Sequence, residues 1–248
     1  MANIAFSLYR AAHNPSYDFA TNGELRALRI VVGAAKEATV LDVGANVGHW
    51  SCAAAALSGT RSVHAFEPSA ATYAKLLANT SGIASITAFN CGLSSETRKL
   101  ELAFSAGNPE KSSVEMAGVQ GFNRQIKDYR SETQAFVKGD EFCAEHGIGE
   151  IAFLKIDTEG HDYLVLEGFA GMLREGRIRA VQFEYNRLNI YARRLLHDFY
   201  QLLNPNSAPD SFAIGRIFPA SVRFKAYNPL DENFIDGNFW LSIAHNPL

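Results

Sequence analysis

Apolar and polar positions along this chain change their period in blocks. Short β-branched runs alternate with stretches of helical spacing, the pattern of βαβ units built around a mainly parallel sheet. The spacing predicts a first helix over 23–36, capped by Asn22, with Leu25, Leu28 and Val32 as its apolar stripe. Strands are expected at 39–43, 62–66 and 85–89. An alanine-rich helix at 50–57 stops near Gly59. The next helix is capped by Ser69, presents Tyr73, Leu76 and Leu77 as its apolar face, and ends at Gly82. The stretch 94–139 breaks the rhythm. It holds one alternating strand, 99–104, with Leu100, Leu102 and Phe104 on one face. The rest is polar and glycine-bearing and reads as an irregular functional loop or lid. Beyond it the pattern predicts a helix at 140–146, a nearly all apolar strand at 151–156 and a helix at 163–173 ended by Gly176. A strand at 180–183, a helix at 191–203 stopped by Pro205, and late strands at 212–218, 222–227 and 239–244 complete the series, at least one of them antiparallel.

These elements define an α/β fold of the Rossmann-like, doubly wound kind. A seven-stranded, mainly parallel sheet carries helices on both faces. The chain is expected to form one globular domain, with a helical segment over 1–38 and a main body over 39–248 interrupted by the insertion 94–139. Its 248 residues, 47% of them hydrophobic and 20% charged, suit a single large core. A net charge of −3 argues against an electrostatic nucleic-acid binder. Cys52, Cys91 and Cys143 lie far apart, with no CxxC pair, and read as reduced thiols of a cytoplasmic protein. The start of the chain lacks the pattern of a signal peptide, and no apolar run is long enough for a membrane span. The seven histidines show no metal-ligand spacing, and no metal site is expected.

Three segments carry candidate chemistry. The first, Leu41-Asp42-Val43-Gly44-Ala45-Asn46-Val47-Gly48, lies where the first strand turns into its helix. In open α/β sheets ligands bind beyond the carboxyl ends of the strands at such a point. The dinucleotide pattern G-x-G-x-x-G fails here, because Asn46 and His49 occupy its second and third glycine places. A phosphate-free ligand fits better, and the carboxylate and ammonium of a methionine moiety suit the turn, with Asp42 accepting from the ammonium. The second segment is Glu67-Pro68, just past the second strand and 19 residues beyond Gly48. A carboxylate at that place can accept from both hydroxyls of a ribose. The third, Lys155-Ile156-Asp157-Thr158-Glu159-Gly160-His161-Asp162, follows the apolar strand, so its charged groups emerge at the same edge. Asp157 or His161 there can take a proton from an attacking hydroxyl. Each segment also has an ordinary reading, as a tight turn, a carboxylate favoured by a helix dipole, or a helix cap.

Taken in order, these motifs make the chain resemble the FkbM-type methyltransferase family. The likeness runs from Asn22-Gly23-Glu24 to Asn238-Phe239-Trp240-Leu241 and takes in Ala65-Phe66-Glu67-Pro68 with Leu77 and Asn79, Gly92-Leu93-Ser94, Ser112-Ser113 and Val181-Gln182-Phe183-Glu184. The resemblance implies a class I methyltransferase fold, S-adenosylmethionine as methyl donor, and a hydroxyl on a sugar or other small natural product as acceptor. It assigns Asp42, Gly44, Asn46 and Gly48 to the methionine end of the donor, Glu67 to its ribose, and Asn90, Cys91 and Gly92 to the neighbourhood of its adenine. Asp157 and His161 share the proton-accepting role. Glu159 and Glu184 orient the acceptor. Acceptor specificity is expected in 94–139 and 185–191. The competing readings are an NAD-dependent oxidoreductase, which shares Glu67 but not the glycine pattern, and a non-catalytic S-adenosylmethionine-binding partner subunit.

Overall fold

Strands buried at nearly every position need cover on both faces, and two such strands, 38–43 and 153–156, stand side by side near the centre of the sheet. In the computed structural model, which describes residues 9, 12–35, 37–57, 59–105, 108–116, 129–203 and 213–242, the chain first forms α1 (Glu24–Ala34), β1 (Ala38–Val43), α2 (His49–Ala55), β2 (Thr60–Phe66), α3 (Ala70–Thr80) and β3 (Ile86–Phe89). Four strands then lead away from this rhythm: β4 (Gly92–Ser94), β5 (Arg98–Ser105), β6 (Asn108–Ser113) and β7 (Tyr129–Lys138). The rhythm resumes with α4 (Gly139–Glu145), β8 (Phe153–Ile156), α5 (Asp162–Gly168), α6 (Ala170–Arg174) and β9 (Ala180–Tyr185). After it come α7 (Asn189–Ala192), α8 (Leu196–Leu203), β10 (Ala213–Phe218), β11 (Ser221–Phe224) and β12 (Gly237–Ser242).

The main sheet has eight strands in the order β11-β10-β12-β9-β8-β1-β2-β3. The run from β9 to β3 is parallel, and β12 lies antiparallel between β9 and β10. All eight coincide with runs expected to form strands, β11 with 222–227, so the sheet has one strand more than the seven expected; β11 is an antiparallel hairpin partner at the edge of β10. Side chains alternate between the faces with the period of the strand. Val40, Phe153 and Trp240 face α1 and α2 and pack on Ala27, Leu28, Val32 and Ala54. Leu41, Val43, Leu154, Ile156 and Phe183 face the other way, toward Phe142, Val165, Leu166 and Phe199. Asp42 and Lys155 are register partners, and they fall on the first face, between these apolar neighbours.

Several local expectations are corrected. The insertion is not an irregular loop. Its described residues form a second, four-stranded sheet in the order β4-β7-β5-β6, while 117–128 lie outside the described residues. The predicted helix over 163–173 is two short helices divided at Phe169, whose side chain is fully buried. The predicted helix over 191–203 is likewise divided, because Arg193 takes φ 52°; Pro205 lies outside the described residues. Gly23, not Asn22, is the N-cap of α1, and Asn22 instead accepts from the Glu24 N–H at 3.0 Å. Ser69 makes no side-chain cap. Leu77 is 47% exposed, and the buried face of α3 is Thr72, Leu76 and Thr80.

The second sheet is seated on the main body by a close approach. A Cβ at Gly168, near the end of α5, would fall 2.1 Å from the Ser94 carbonyl oxygen on β4. Gly33, on an exposed turn of α1, has nothing within 4 Å of the same position. Gly168→Ala is therefore expected to destabilise the protein by about 1–3 kcal/mol through overpacking. Gly33→Ala should stabilise it by about 0.4–1 kcal/mol through the unfolded chain. Urea midpoints of the two variants should move in opposite directions from that of the parent.

Candidate active site

Where β1, β2 and β8 end, their following loops enclose a cavity of about 350 Å³, within the range of small-molecule sites. Four parts of the chain wall it. The turn after β1 supplies Gly44, Ala45 and Asn46; the ends of β2 and β8 supply Glu67, Lys155 and Asp157. The second sheet contributes Leu102, Ser112 and Phe136, and the segment before the first strand contributes Tyr17, Phe19 and Glu24.

Lys155 is the charged floor of this cavity and is only 4% exposed. Its Nζ donates to Asp42 Oδ1 at 3.1 Å and lies 3.4 Å from Asp157 Oδ2. Burial alone would pull the ammonium toward neutrality. The carboxylates of Asp42, Asp157 and Glu24 outweigh that and hold its pKa above the usual lysine value. Asp42 itself is fully buried, and its second oxygen accepts from the Ser51 hydroxyl at 2.6 Å. It does not line the cavity. Both of its oxygens hold partners inside the protein, on Ser51 and Lys155, so Asp42 stands behind the cavity wall rather than in it.

Glu67 reaches the cavity as expected. It is 5% exposed, with Oε2 accepting from the Asn46 N–H at 3.1 Å and Oε1 from the Ser69 N–H at 2.8 Å. Burial pushes its pKa up to about 7, although the two backbone bonds oppose the shift. Asn90 braces this loop from behind, donating to the carbonyls of Glu67 at 2.9 Å and Pro68 at 3.1 Å. Asn90 and Cys91 are absent from the cavity lining, whereas Gly92 lines it. Burial raises the Cys91 thiol to about 11, so it remains a thiol packed against the core.

The glycines of the first turn serve the protein's own packing. Gly44 takes φ 82°, and a Cβ there would fall 1.9 Å from the Asp157 carbonyl oxygen. It lets the loops after β1 and β8 touch. Gly48 is not part of the lining; its Cβ would meet Leu76 on α3 at 2.6 Å. Asn46, at φ 51°, lines the cavity and turns its N–H to Glu67.

Asp157, Glu159 and His161 all line the cavity, in different states. The Asp157 side chain is 43% exposed. Glu159 sits at φ 52°, and its carbonyl accepts from the Ser113 hydroxyl at 2.7 Å. His161 is 2% exposed, with Nδ1 at 2.8 Å from Glu115 Oε1 and Nε2 at 2.9 Å from Ser94 Oγ. A carboxylate only accepts, so Nδ1 carries the proton. Both ring nitrogens are thus engaged by residues of the second sheet and the turn after it. Glu184 does not line the cavity. It accepts from Asn186 Nδ2 at 2.6 Å, and its carboxyl is held well above the usual range by burial and then by Asp157, Glu159 and Asp162. Sequence reasoning quoted Glu24 and Ser94 within family motifs but gave them no place in the site, and it did not single out Glu115; all three are distant along the chain from the groups they meet here. The helix-N-terminal spacing of Asp162 was a usable signal: its buried carboxylate accepts from Thr158 N and Oγ1 and from Glu184 N, tying the loop after β8 to β9.

The strand order, with one antiparallel strand set between β9 and β10 and the cavity at the carboxyl ends, defines a class I methyltransferase fold. A family model described as the Methyltransferase FkbM domain matches residues 42–208. The chain belongs to this family of S-adenosylmethionine-dependent methyltransferases. The hexuronic acid methyltransferase AglP of Haloferax volcanii is 28% identical over 154 residues, which make up 61% of this chain and 59% of that protein. The chain thus spans about three-fifths of the length of the curated relative it matches. Among solved structures, the methyltransferase FkbM from Methylobacillus flagellatus superposes with a TM-score of 0.48 at 15% identity, over 84% of this chain and 44% of that one. An rRNA methylase from Streptococcus thermophilus gives 0.47 at 14% identity, over 90% and 95%. No helix among the described residues is long and apolar enough to cross a membrane.

The buried pair in the floor makes a test of its own. Removing one partner of a buried ion pair leaves an uncompensated charge and costs about 3–5 kcal/mol. Lys155→Met should therefore lower stability by that order. Adding Asp42→Asn, which keeps an acceptor for Ser51 and removes the orphaned charge, should restore more than half of the loss. Chemical denaturation of the single and double variants checks both.

Proposed function

We propose that the cavity binds S-adenosylmethionine and that the chain transfers its methyl group to a hydroxyl of a sugar or another small natural product. The observation that carries this reading is Glu67. Its buried carboxylate stands at the tip of β2, is aimed by two backbone N–H groups, and has lone pairs to spare for two ribose hydroxyls. The cavity volume and the surplus of carboxylates over ammonium groups in its floor suit a ligand with a positively charged centre. Gly44, Ala45 and Asn46 bind the methionine end and Gly92 stands on the adenine side. The hexuronic acid specificity of AglP supports a sugar acceptor here. Family membership weighs against the NAD-dependent oxidoreductase, and turnover separates an enzyme from a non-catalytic partner subunit.

Bound there, S-adenosylmethionine supplies a methyl group activated by its sulfonium charge. The protein then has to align the acceptor and receive its proton, and alignment supplies several kcal/mol of the barrier reduction, of the order of 7 or more in favourable cases. Asp157 is the proton acceptor in this reading. It lines the cavity, is 43% exposed, and has oxygens beyond its one contact with Lys155. For His161 to accept the proton, it must first release Ser94 from Nε2. We place it second, as a group that holds the acceptor wall.

Two measurements test the assignments. Glu67→Gln should weaken S-adenosylhomocysteine binding by about 10–100-fold, the weight of hydrogen bonds to a charged acceptor. In the parent protein Glu67 must be ionised to accept from both ribose hydroxyls as well as from its two backbone N–H donors, and its raised pKa of about 7 makes deprotonation part of the binding below that pH. Calorimetry should therefore show affinity rising from pH 6 to pH 8, with a flat profile in Glu67→Gln. The same shift means that the ligand-free protein loses stability as pH rises from about 4.5 through about 7, because the folded form holds that proton more tightly. Separately, Asp157→Asn should lower turnover by about 100-fold or more, the usual weight of general-base help, with donor affinity changed by less than about threefold. Turnover near that of the parent would remove Asp157 from the mechanism.

A further inference from the structure

The family match begins at residue 42, but the cavity wall begins earlier. Tyr17, Phe19 and Glu24 all line it. This upstream stretch is fastened to the far half of the sheet. Asn14 Nδ2 donates to the Ile217 carbonyl at 3.1 Å, and the Tyr17 hydroxyl donates to Asp236 Oδ2 at 2.6 Å. Glu24 opens α1 and is 5% exposed. Its Oε1 accepts from Asn22 Nδ2 at 2.6 Å and from Asn238 Nδ2 at 2.9 Å, and its Oε2 accepts from Gln182 Nε2 at 2.6 Å.

Those three donors are neutral amides. They aim the carboxylate but bring no positive charge to it, and they fill three of its roughly four lone-pair sites. The remaining site is on Oε2. Lys155 is near, yet its ion pairs are with Asp42 and Asp157. A buried carboxylate in such a cradle, on a cavity wall, is completed by a cation from outside. Phosphates and sugars offer none. An α-ammonium does, and the methionine moiety of the donor carries one at the end of the cavity where the turn after β1 meets Lys155.

We propose that Glu24, presented by a helix upstream of the matched family domain, binds the α-ammonium of S-adenosylmethionine. Glu24 is then a donor-binding residue with a partner set (Asn22, Gln182 and Asn238) drawn from three separate parts of the chain. The assignment rests on the donor-binding reading above, and the test separates the two.

The experiment is a binding cycle on the full chain, with S-adenosylhomocysteine and its deamino analogue, which keeps the adenosine, the thioether and the carboxylate but lacks the amine. The parent protein should bind the deamino analogue at least about tenfold more weakly, as expected for loss of a charge-assisted bond. In Glu24→Gln that gap should close to within about twofold, because only the ammonium-bearing ligand loses a partner. Glu24→Asp, which keeps the charge, should retain part of the gap and serves as the working variant if the Gln form does not fold. An equal gap in parent and variants would overturn the assignment, leaving Glu24 as a staple between α1 and the sheet. Similar weakening of both ligands would overturn it too. A parent protein that binds neither ligand would overturn the donor-binding reading itself and the Glu24 assignment with it.

Discussion

A lysine buried to 4% exposure is tolerated only where opposite charge replaces the water it has lost. Lys155 meets that demand through register. β1 and β8 pair so that Asp42 lies beside it, and β9 places Gln182 on its other side. Two flanking segments close the ring, Asp157 from the loop after β8 and Glu24 from α1. One ammonium therefore holds together the first strand, the fourth parallel strand and the loop that carries the candidate proton acceptor. Because three carboxylates surround it, the floor keeps a net negative charge. The cost of assembling that charge without a ligand is visible in Glu24, whose carboxyl burial pushes above the usual range even with Lys155 nearby.

The second sheet closes the cavity from the opposite side and takes its position from a few contacts. β4 begins two residues past β3 and pairs in parallel with β7, out of the plane of the main sheet. His161 then links the turn after β6 to β4 by holding Glu115 and Ser94 at once. Ser113 adds a bond to the Glu159 carbonyl. The loop after β8 is thus gripped by Lys155 from below and by the second sheet from above. That double grip explains how a residue in the left-handed region, Glu159 at φ 52°, is held in place.

Much of this was legible along the chain, for identifiable reasons. Strands covered on both faces leave nearly continuous apolar runs, so β1 and β8 stood out despite Asp42 and Lys155 within them. The Asp157–His161 segment sits directly after β8 and Glu67 directly after β2, and the fold forces whatever follows a parallel strand toward the cavity edge. In the insertion only β5 was legible, as the strand expected at 99–104, because the other strands are mixed in character. β7 reads Tyr-Arg-Ser-Glu-Thr-Gln-Ala-Phe-Val-Lys, with Phe136 as its deeply buried residue, and such a pattern resembles a polar loop. For Asp42 the sequence shows that a carboxylate is near the edge but not which way its strand turns it. One residue's step along β1 separates the buried face from the tip, and Asp42 belongs to the face. Leu77 was misplaced for a reason of that kind, as one step round α3 from Leu76 leads to solvent.

The remaining gap concerns sequence distance. Glu24 is held by Asn22, Gln182 and Asn238, and the last lies 214 positions away. Each member stands in a short motif of the family likeness, but no local pattern announces that these motifs meet. Only the antiparallel insertion of β12 beside β9, which sets Asn238 opposite Glu184 and Trp240 opposite Gln182, brings these amides to one place. Antiparallel strands at the end of a parallel sheet are easily regarded as an edge that completes the fold. Here the same strand orients a carboxylate in the cavity wall, so segments near 24 and 238 help build the chamber that the loops after β1, β2 and β8 line. Chemistry of the kind proposed for the site requires both: motif loops to bring the reacting groups, and the upstream helix with the last strand to fix the charge around them.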